Sequence, residues 1–373
     1  MTMYEIHMLM NYPANVLNRD DTGTPKTVNF NGTQRIRISS QCLKRSWRNS
    51  PIFKDAFHEI GTRTRGLPEL VGLEMQKRGI DEDTILACKK VIATGKHKND
   101  DDPWMMEKME FYSPAEVQMI TDTVLALKNE KKPAEFAKLK YQDIAKLCGA
   151  KKAGITMDQA MFGRMVTDET VGNIDAAIQV AHAISTNAGA LDSDYFTAVD
   201  DMIADGRMAG ESVTGHMNDT DFDSGCFYEH VVIDMDQLKT NLKDNEGNIE
   251  EALRKVVPTF VKTMAYTSPS AKQNTYEAHV LPEVIYVVEK EDKIPVNMCN
   301  AFDRPTGRDA AGESIKKLAD EVDREKNVYD ISSLHAVWFK PRDEYVTPKS
   351  NSIKVVTTMH DLMEEISSWD DAE

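Results

Sequence analysis

The sequence predicts an α+β protein, a small β-sheet domain interrupted by two insertions. Three observations carry this. Short runs of β-favouring residues recur towards both ends of the chain. The stretch from about residue 61 to 152 is helical in composition. Residues 187–225 form a Gly-punctuated acidic segment unlike either. With 373 residues the chain can bury a sizeable core. Its 41% hydrophobic and 28% charged residues exclude a disordered tail protein.

Taken in order, residues 4–10 alternate weakly and read as a first strand. Residues 11–31 read as a long polar loop, with Pro13, Gly23 and Pro25 inside it and Gly32 just after. Arg35-Ile36-Arg37-Ile38 alternates as a half-buried strand does, with both arginines on one face. Ser39 and Ser40 then offer N-cap oxygens to a helix over 41–48. On that helix Gln41, Lys44, Arg45 and Arg48 share a sector of about 100°, while Leu43 and Trp47 point towards a core. Ser113-Pro114-Ala115-Glu116 is a helix start with Pro at the first helical position. Residues 173–186 read as an amphipathic helix striped by Ile174, Ile178, Ala181 and Ile184. Residues 187–225, with five glycines, nine acids and one base, read as a long insertion of the kind that is functional or disordered. A strand follows over 226–236, then a helix over 249–265 interrupted at Pro258. Short β-rich runs come at 284–288 and 353–357.

Charge is the most uneven property. The net charge is −16, from 45 Lys and Arg against 61 Asp and Glu, and such an average argues against nucleic acid as a partner. Residues 22–48, however, contain no acid and six bases: Lys26, Arg35, Arg37, Lys44, Arg45 and Arg48. The segment is +6 and the remainder −22. Because no acid is interleaved, local i,i+4 pairs cannot consume these cations. A basic strand feeding a capped helix N-terminus suits a polyphosphate backbone, whose affinity grows with the number of phosphates neutralised.

Other chemistry is sparse. The nine histidines show no H-x-x-x-H and no His/Cys cluster at metal spacing, so no transition-metal site is expected. Neither a P-loop nor G-x-G-x-x-G occurs, and no cofactor is expected. Cys42, Cys88, Cys148, Cys226 and Cys299 are scattered, as reduced cytoplasmic thiols are. No apolar run approaches the roughly 18 residues of a membrane helix. The first ten residues carry Glu5 and His7 and do not form a signal peptide. A cytoplasmic protein without a membrane partner is therefore expected. His182 reads as a half-buried histidine beside an apolar stripe. Asp20 and Asp21 read as a turn, with Mg²⁺-dependent hydrolysis as the alternative. Met161-Phe162-Gly163-Arg164-Met165 reads as core, though Gly163 permits close backbone approach and an exposed Met can act as a wedge. Tyr195 and Phe196 in the acidic segment suit base stacking. In the polar turn at 268–275, Lys272 suits a phosphate, while Gln273 and Asn274 suit a base or ribose.

Six blocks of this sequence together resemble the CasC family, the backbone subunit of the type I-E CRISPR Cascade complex. They are Leu17-Asn18-Arg19-Asp20-Asp21, the stretch 35–48 with Ser39-Ser40-Gln41, Ala160-Met161-Phe162-Gly163-Arg164-Met165, Ala181-His182-Ala183-Ile184, the stretch 194–201 and Lys272-Gln273-Asn274-Thr275. The family often has Gly where Ala271 stands, and the stretch 61–152 carries no matching block.

The resemblance implies an RRM-like (ferredoxin-like) palm with a helical fingers insertion and a long thumb loop. It implies palm at 1–60, fingers at 61–157, a palm helix at 158–186, the thumb at 187–225 and palm again at 226–373. It also implies a non-catalytic subunit that stacks head to tail on CRISPR RNA and leaves guide segments free to pair with target DNA. Implied RNA-binding residues are Asn18, Arg19, Lys26, Arg35, Arg37, Ser40, Gln41, Lys44, Arg45, Arg48, Arg164, Lys272, Gln273 and Asn274. Met165, Phe196 and Met217 match positions flanking a flipped-out nucleotide. Implied partners are identical neighbours, the subunits holding the 5′ handle and 3′ hairpin of the RNA, and the large and small subunits. The alternative is a metal-dependent backbone nuclease using Asp20 or Asp21. A third reading is a scaffold that binds only protein.

Overall fold

The computed structural model describes residues 2–95, 101–149, 153–166, 171–208, 214–245 and 247–369. The chain divides into two compact units. The first holds residues 1–53, 180–232 and 257–373, and the second holds 54–179 and 233–256.

The strands of the first unit are β1 (Met3–Asn15), β2 (Thr27–Phe30), β3 (Thr33–Ile38), β4 (Ala183–Ser185), β5 (Asp192–Val199), β6 (Thr214–Asp234), β7 (Pro282–Lys290), β8 (His335–Phe339) and β9 (Lys354–Val356). They pair in the order β9-β8-β7-β1-β6-β4-β3-β2, with β5 also on β6. At its centre, β7-β1-β6-β4 is the strand order of an RRM-like fold. Its two crossover helices are α1 (Ser40–Asn49), between β1 and β4, and α2 (Val256–Tyr266), between β6 and β7. Trp47 of α1 and Phe260 of α2 meet edge to face, ring centroids 5.4 Å apart.

A second layer covers the opposite side of the sheet. Helix α3 (Ala310–Val328) places Ile315, Leu318 and Val322 in one buried cluster with Leu9, Tyr228, Val284, Tyr286 and Trp338. With both faces covered, residues 3–10 of β1 are buried without a break, including Glu5 and His7. Among the described residues no helix is long and apolar enough to cross a membrane.

The second unit has its own core, in which Leu67, Val71, Met75, Ile85, Cys88, Ile120, Val124 and Ile144 come together from several helices. The expected helix start at Ser113 is present as a full capping box with Glu116. A short pair of strands, Thr62–Thr64 and Glu110–Tyr112, interrupts this otherwise helical stretch. Residues 96–100 and 150–152 of the stretch lie outside the described residues.

Three sequence expectations need correction. Residues 173–186 are not a helix: Ile178–Val180 and Ala183–Ser185 are strands, and Ile184 pairs with Arg37 on one side and Tyr228 on the other. Isoleucine, valine and threonine in this stretch favour extended backbone, and two waiting strand edges decide the outcome. The expected palm helix at 158–186 shrinks to Met157–Phe162, and the rest of that range is split between the two units. The expected break at Pro258 comes instead at Lys255, between helix Ile249–Arg254 and α2. Pro258 thus falls in the first turn of α2, where its missing N–H is not required.

The two arginines of β3 also part company. Arg37 is half exposed, but Arg35 is fully buried. The Arg35 guanidinium donates to the carbonyls of Ser185 (2.9 Å), Thr186 (2.7 Å) and Phe302 (2.8 Å). It is a structural tie between β3, β4 and the Met298–Phe302 turn rather than a surface cation. Replacing it strands three buried acceptors, so Arg35→Met is expected to lower the unfolding free energy by about 3 kcal/mol in a urea titration.

Candidate functional site

Helix α1 is set by its apolar side. Leu43 and Trp47 are buried, which turns Gln41, Lys44, Arg45 and Arg48 outward. Ser39 caps the helix, its hydroxyl accepting the Cys42 N–H at 3.3 Å. The N–H of Ser39 donates to the Asn18 side chain at 2.9 Å, so Asn18 anchors the cap. The loop before β2 is closed on itself by the Lys26 N–H donating to the Asn18 carbonyl and tied to β3 by the Arg37 N–H donating to the Lys26 carbonyl, each 2.8 Å. These bonds bring Lys26, Arg37 and the start of α1 to one place.

His182 lies at that place, exposed rather than half-buried as the sequence suggested. Its Nδ1 is 3.3 Å from the Ser40 N–H and 3.3 Å from an Arg37 guanidinium nitrogen. Partial desolvation, with the neighbouring charges of Arg37, Lys44 and Lys26, holds its pKa below the usual histidine value. Three cations converging on one imidazole is electrostatic evidence of a local positive field. The sequence signal for His182 was present in its matching block, but the helix expected there hid its position.

A cleft of about 540 Å³ opens beside this face. It is lined by residues 17–23, by Cys42, Arg45 and Ser46 of α1, and by Ser270 and Ala271. Two of the sequence blocks therefore meet in one groove, closed by the two residues that precede a third. Arg19 is exposed at its rim. Lys272 has φ +52°, a left-handed conformation that turns the chain into the short helix Gln273–Tyr276. The Gln273 amide donates to the Pro269 carbonyl at 2.8 Å, so it holds the turn. Asn274 is exposed beside it.

The acidic segment is a β-hairpin, not a loop. β5 pairs with the first half of β6 from Asp192↔Phe222 to Val199↔Thr214. Residues 209–213, between the two strands in sequence, lie outside the described residues. Every residue of β5 is exposed. The hairpin is clamped at its root on both faces: Asp221 accepts from the Thr24 hydroxyl at 3.3 Å, and Phe222 packs on Tyr276, centroids 5.9 Å apart. By register, Tyr195, Met217, Asp219 and Asp221 share one face, and Phe196, Asp192, Asp194 and Phe222 share the other. The Tyr195 hydroxyl donates to Met217 Sδ at 2.9 Å. Phe196 and Met217, expected together at one nucleotide, thus point to opposite faces. They are 41% and 60% exposed, too open for core residues.

In the second unit, Arg164 and Met165 diverge. Arg164 is buried, its guanidinium donating to Glu116 (2.8 Å) and to the carbonyls of Phe111 (2.7 Å) and Gly172 (2.9 Å). Like Arg35, it is withdrawn from the expected RNA contacts because its donors are already engaged. Gly163 has φ +74°, and a Cβ there would lie 2.9 Å from the Ala176 backbone nitrogen, so glycine is required. Met165, one residue on, is 93% exposed.

The carboxylates near the cleft are less suited to chemistry. One oxygen of Asp20 accepts the Thr22 N–H (2.9 Å), the Thr22 hydroxyl (2.7 Å) and the Thr24 N–H (3.1 Å). These bonds, led by the Thr22 hydroxyl, hold its pKa below the ordinary aspartate value. Asp21 is exposed beside it. Among the described residues neither belongs to a cluster of three potential metal ligands.

The geometry defines an RRM-like α+β protein with a basic surface around the start of α1, a cleft next to it and an acidic hairpin. A family model described as "CT1975-like protein" matches residues 4–365, and the chain belongs to that family. This agrees with the CasC resemblance drawn from the sequence blocks. No curated protein matches the chain. Among solved structures it is similar to a chain of a "CRISPR RNA-guided surveillance complex, pre-nicking". The TM-score is 0.80 at 23% identity, with 99% of this chain and 100% of the other covered. A chain of a "CRISPR RNA-guided surveillance complex" gives 0.73 at 18% identity, with both chains fully covered. At these identities the likeness is one of fold.

At the hairpin root, burial pushes the Asp223 carboxyl up to about 6, opposed by the Ser224 and Ala190 N–H groups and reinforced by Asp192. The folded form therefore holds a proton that the unfolded chain, near 3.8, has lost. The stabilisation is complete below about 3.8 and disappears as pH rises through about 6, with a ceiling of about 3 kcal/mol. Asp223→Asn is expected to flatten this slope, read as hydrogen exchange of the β5–β6 amides across that pH range.

Proposed function

We propose that the chain is a non-catalytic guide-RNA-binding subunit that polymerises along CRISPR RNA as the backbone of a type I-E Cascade complex. It presents guide segments for pairing with target DNA in antiviral defence. The observation that carries this reading is the gathering of Lys26, Arg37 and Lys44 around His182 at the α1 N-terminus, while Arg45 of the same helix lines a groove shared with the 268–274 turn. Several cations on a rigid surface suit a sugar-phosphate chain, and base pairing then supplies the specificity. Asn18, Ser40 and Gln273 position this surface. Arg19, Gln41, Arg48, Lys272 and Asn274 extend it.

The exposed hairpin with Tyr195, Phe196 and Met217 is the thumb of this reading, and Met165 is the wedge on the second unit. Partners are CRISPR RNA, identical neighbours, the 5′-handle and 3′-hairpin subunits, the large and small subunits, and target DNA through the guide. The working compartment is the cytoplasm. Membrane chemistry plays no part. Hydrolysis at Asp20 or Asp21 is the less favoured reading, because Asp20 is occupied by its own turn and no third ligand joins the pair among the described residues.

Changing Lys44, Arg45 and Arg48 together to Glu is expected to abolish co-purification with guide RNA, read as the ratio of absorbance at 260 to that at 280 nm. Wild-type RNA yield from the triple variant would defeat the reading. Arg45→Ala alone is expected to reduce the slope of log K against log salt by about one, and Arg35→Met to leave that slope unchanged. In the assembled complex with complementary RNA and Mg²⁺, no regularly spaced cuts are expected. Cuts that vanish in Asp20→Ala or Asp21→Ala would establish the nuclease instead.

A further inference from the structure

The middle of the palm sheet contains a buried group of charged and imidazole side chains with no part in the function above. Glu5 and His7 lie two apart on β1 and point to the same side. His230 comes from the adjacent strand β6. All three are buried, Glu5 and His7 completely. We infer that Glu5 Oε2, His7 Nε2 and His230 Nε2 form a binding site for one zinc-class divalent cation.

The distances fit. Glu5 Oε2 is 3.3 Å from His7 Nε2 and 3.5 Å from His230 Nε2, and the three ligand atoms lie within 4.8 Å of one another. Adjacent ligands on a tetrahedral ion with bonds of about 2.0–2.1 Å are about 3.3–3.4 Å apart. Neither imidazole Nε2 is in hydrogen-bonding geometry with any group among the described residues, although both are shut away from water. Two imidazole nitrogens held close to one carboxylate oxygen, outside hydrogen-bonding geometry, are what ligands converging on a shared ion require.

The surroundings hold the ligands as outer-sphere partners do. His7 Nδ1 is 2.8 Å from the Tyr228 hydroxyl, whose oxygen also accepts the Met298 N–H at 3.0 Å. A proton on Nδ1 donated to that oxygen leaves the Nε2 lone pair for a metal. The other oxygen of Glu5 is 2.9 Å from Lys290 Nζ, and the Val296 N–H reaches both oxygens at 3.3 Å. Lys290 is itself paired with Glu325.

The charge count supports the same conclusion. With both imidazoles neutral, Glu5 and Glu325 outnumber Lys290 by one negative charge in a region shielded from water. Such a charge is costly unless compensated. A divalent ion carrying a bound hydroxide as its fourth ligand compensates it. The alternative compensation is a proton, on one of the two rings or on a carboxylate such as Glu325, which burial makes harder to ionise. A His₂-carboxylate set favours zinc over magnesium or calcium, which prefer oxygen. An ion here would tie β1 to β6 inside the sheet and would be captured as the chain folds.

The test uses the full chain without a histidine tag, purified natively without chelator. One zinc per chain by elemental analysis is expected. After unfolding in guanidinium with EDTA, refolding with Zn²⁺ should give a melting temperature several degrees above refolding with EDTA alone. Refolding with Co²⁺ should give the visible absorption of a tetrahedral site, and His230→Gln should lose both the metal and the colour. Should that variant fail to fold, the wild-type metal content and melting shift still decide. Zinc well below one per chain, together with identical melting in Zn²⁺ and EDTA, overturns the site and assigns compensation to a proton. Full metal retention by folded His230→Gln overturns it as well. Neither result bears on RNA retention by the groove, which stands or falls with the α1 triple variant.

Discussion

The rotation of one helix decides what the first unit can present to a partner. Leu43 and Trp47 are four residues apart and both buried, with Trp47 locked edge-on against Phe260. That contact fixes α1 about its own axis, and the outward set Gln41, Lys44, Arg45 and Arg48 follows from it without freedom to choose. Losing the Trp47 contact would remove packing worth about 3–5 kcal/mol and free the basic face to turn. Around this pivot the Asn18 side chain, the Ser39 cap and the Lys26 backbone bonds bring the preceding loop into register.

The parts legible in the sequence were those whose signals are local. The α1 helix, its Ser39 cap and its apolar pair could be read because helical spacing and capping chemistry sit within ten residues. The Ser113 start was legible for the same reason. Residues 173–186 misled because four apolar residues also satisfy a helical stripe, and only the strand edges of β3 and β6 reveal the extended alternative. Arg35 and Arg37 looked equivalent because alternation reports a shared face and not what lies over it. The carbonyls of Ser185, Thr186 and Phe302, distant in sequence, separate them. The Glu5-His7-His230 group escaped a search by spacing because its third member is more than two hundred residues away.

The electrostatics divide in the same way. A net −16 hides a basic surface built from one acid-free segment, and the hairpin beside it carries much of the opposing charge. Because β5 and β6 place acids on both faces of the hairpin, like charges repel along it and disfavour collapse onto itself. The aromatic and methionine side chains are left presented to solvent. The root is held from two sides, by Thr24 and by Tyr276, so the exposed part extends from a fixed base.

The covering of both sheet faces has a consequence of its own. An open RRM-like sheet offers flat aromatic side chains on which bases can be stacked and discriminated. Here α1 and α2 occupy one side and α3 the other, so no base can lie on the buried central strands. On the proposed function, the RNA lies outside that covered centre and is held by its backbone. On that proposal the architecture has given up reading letters, and the subunit is indifferent to the text it carries.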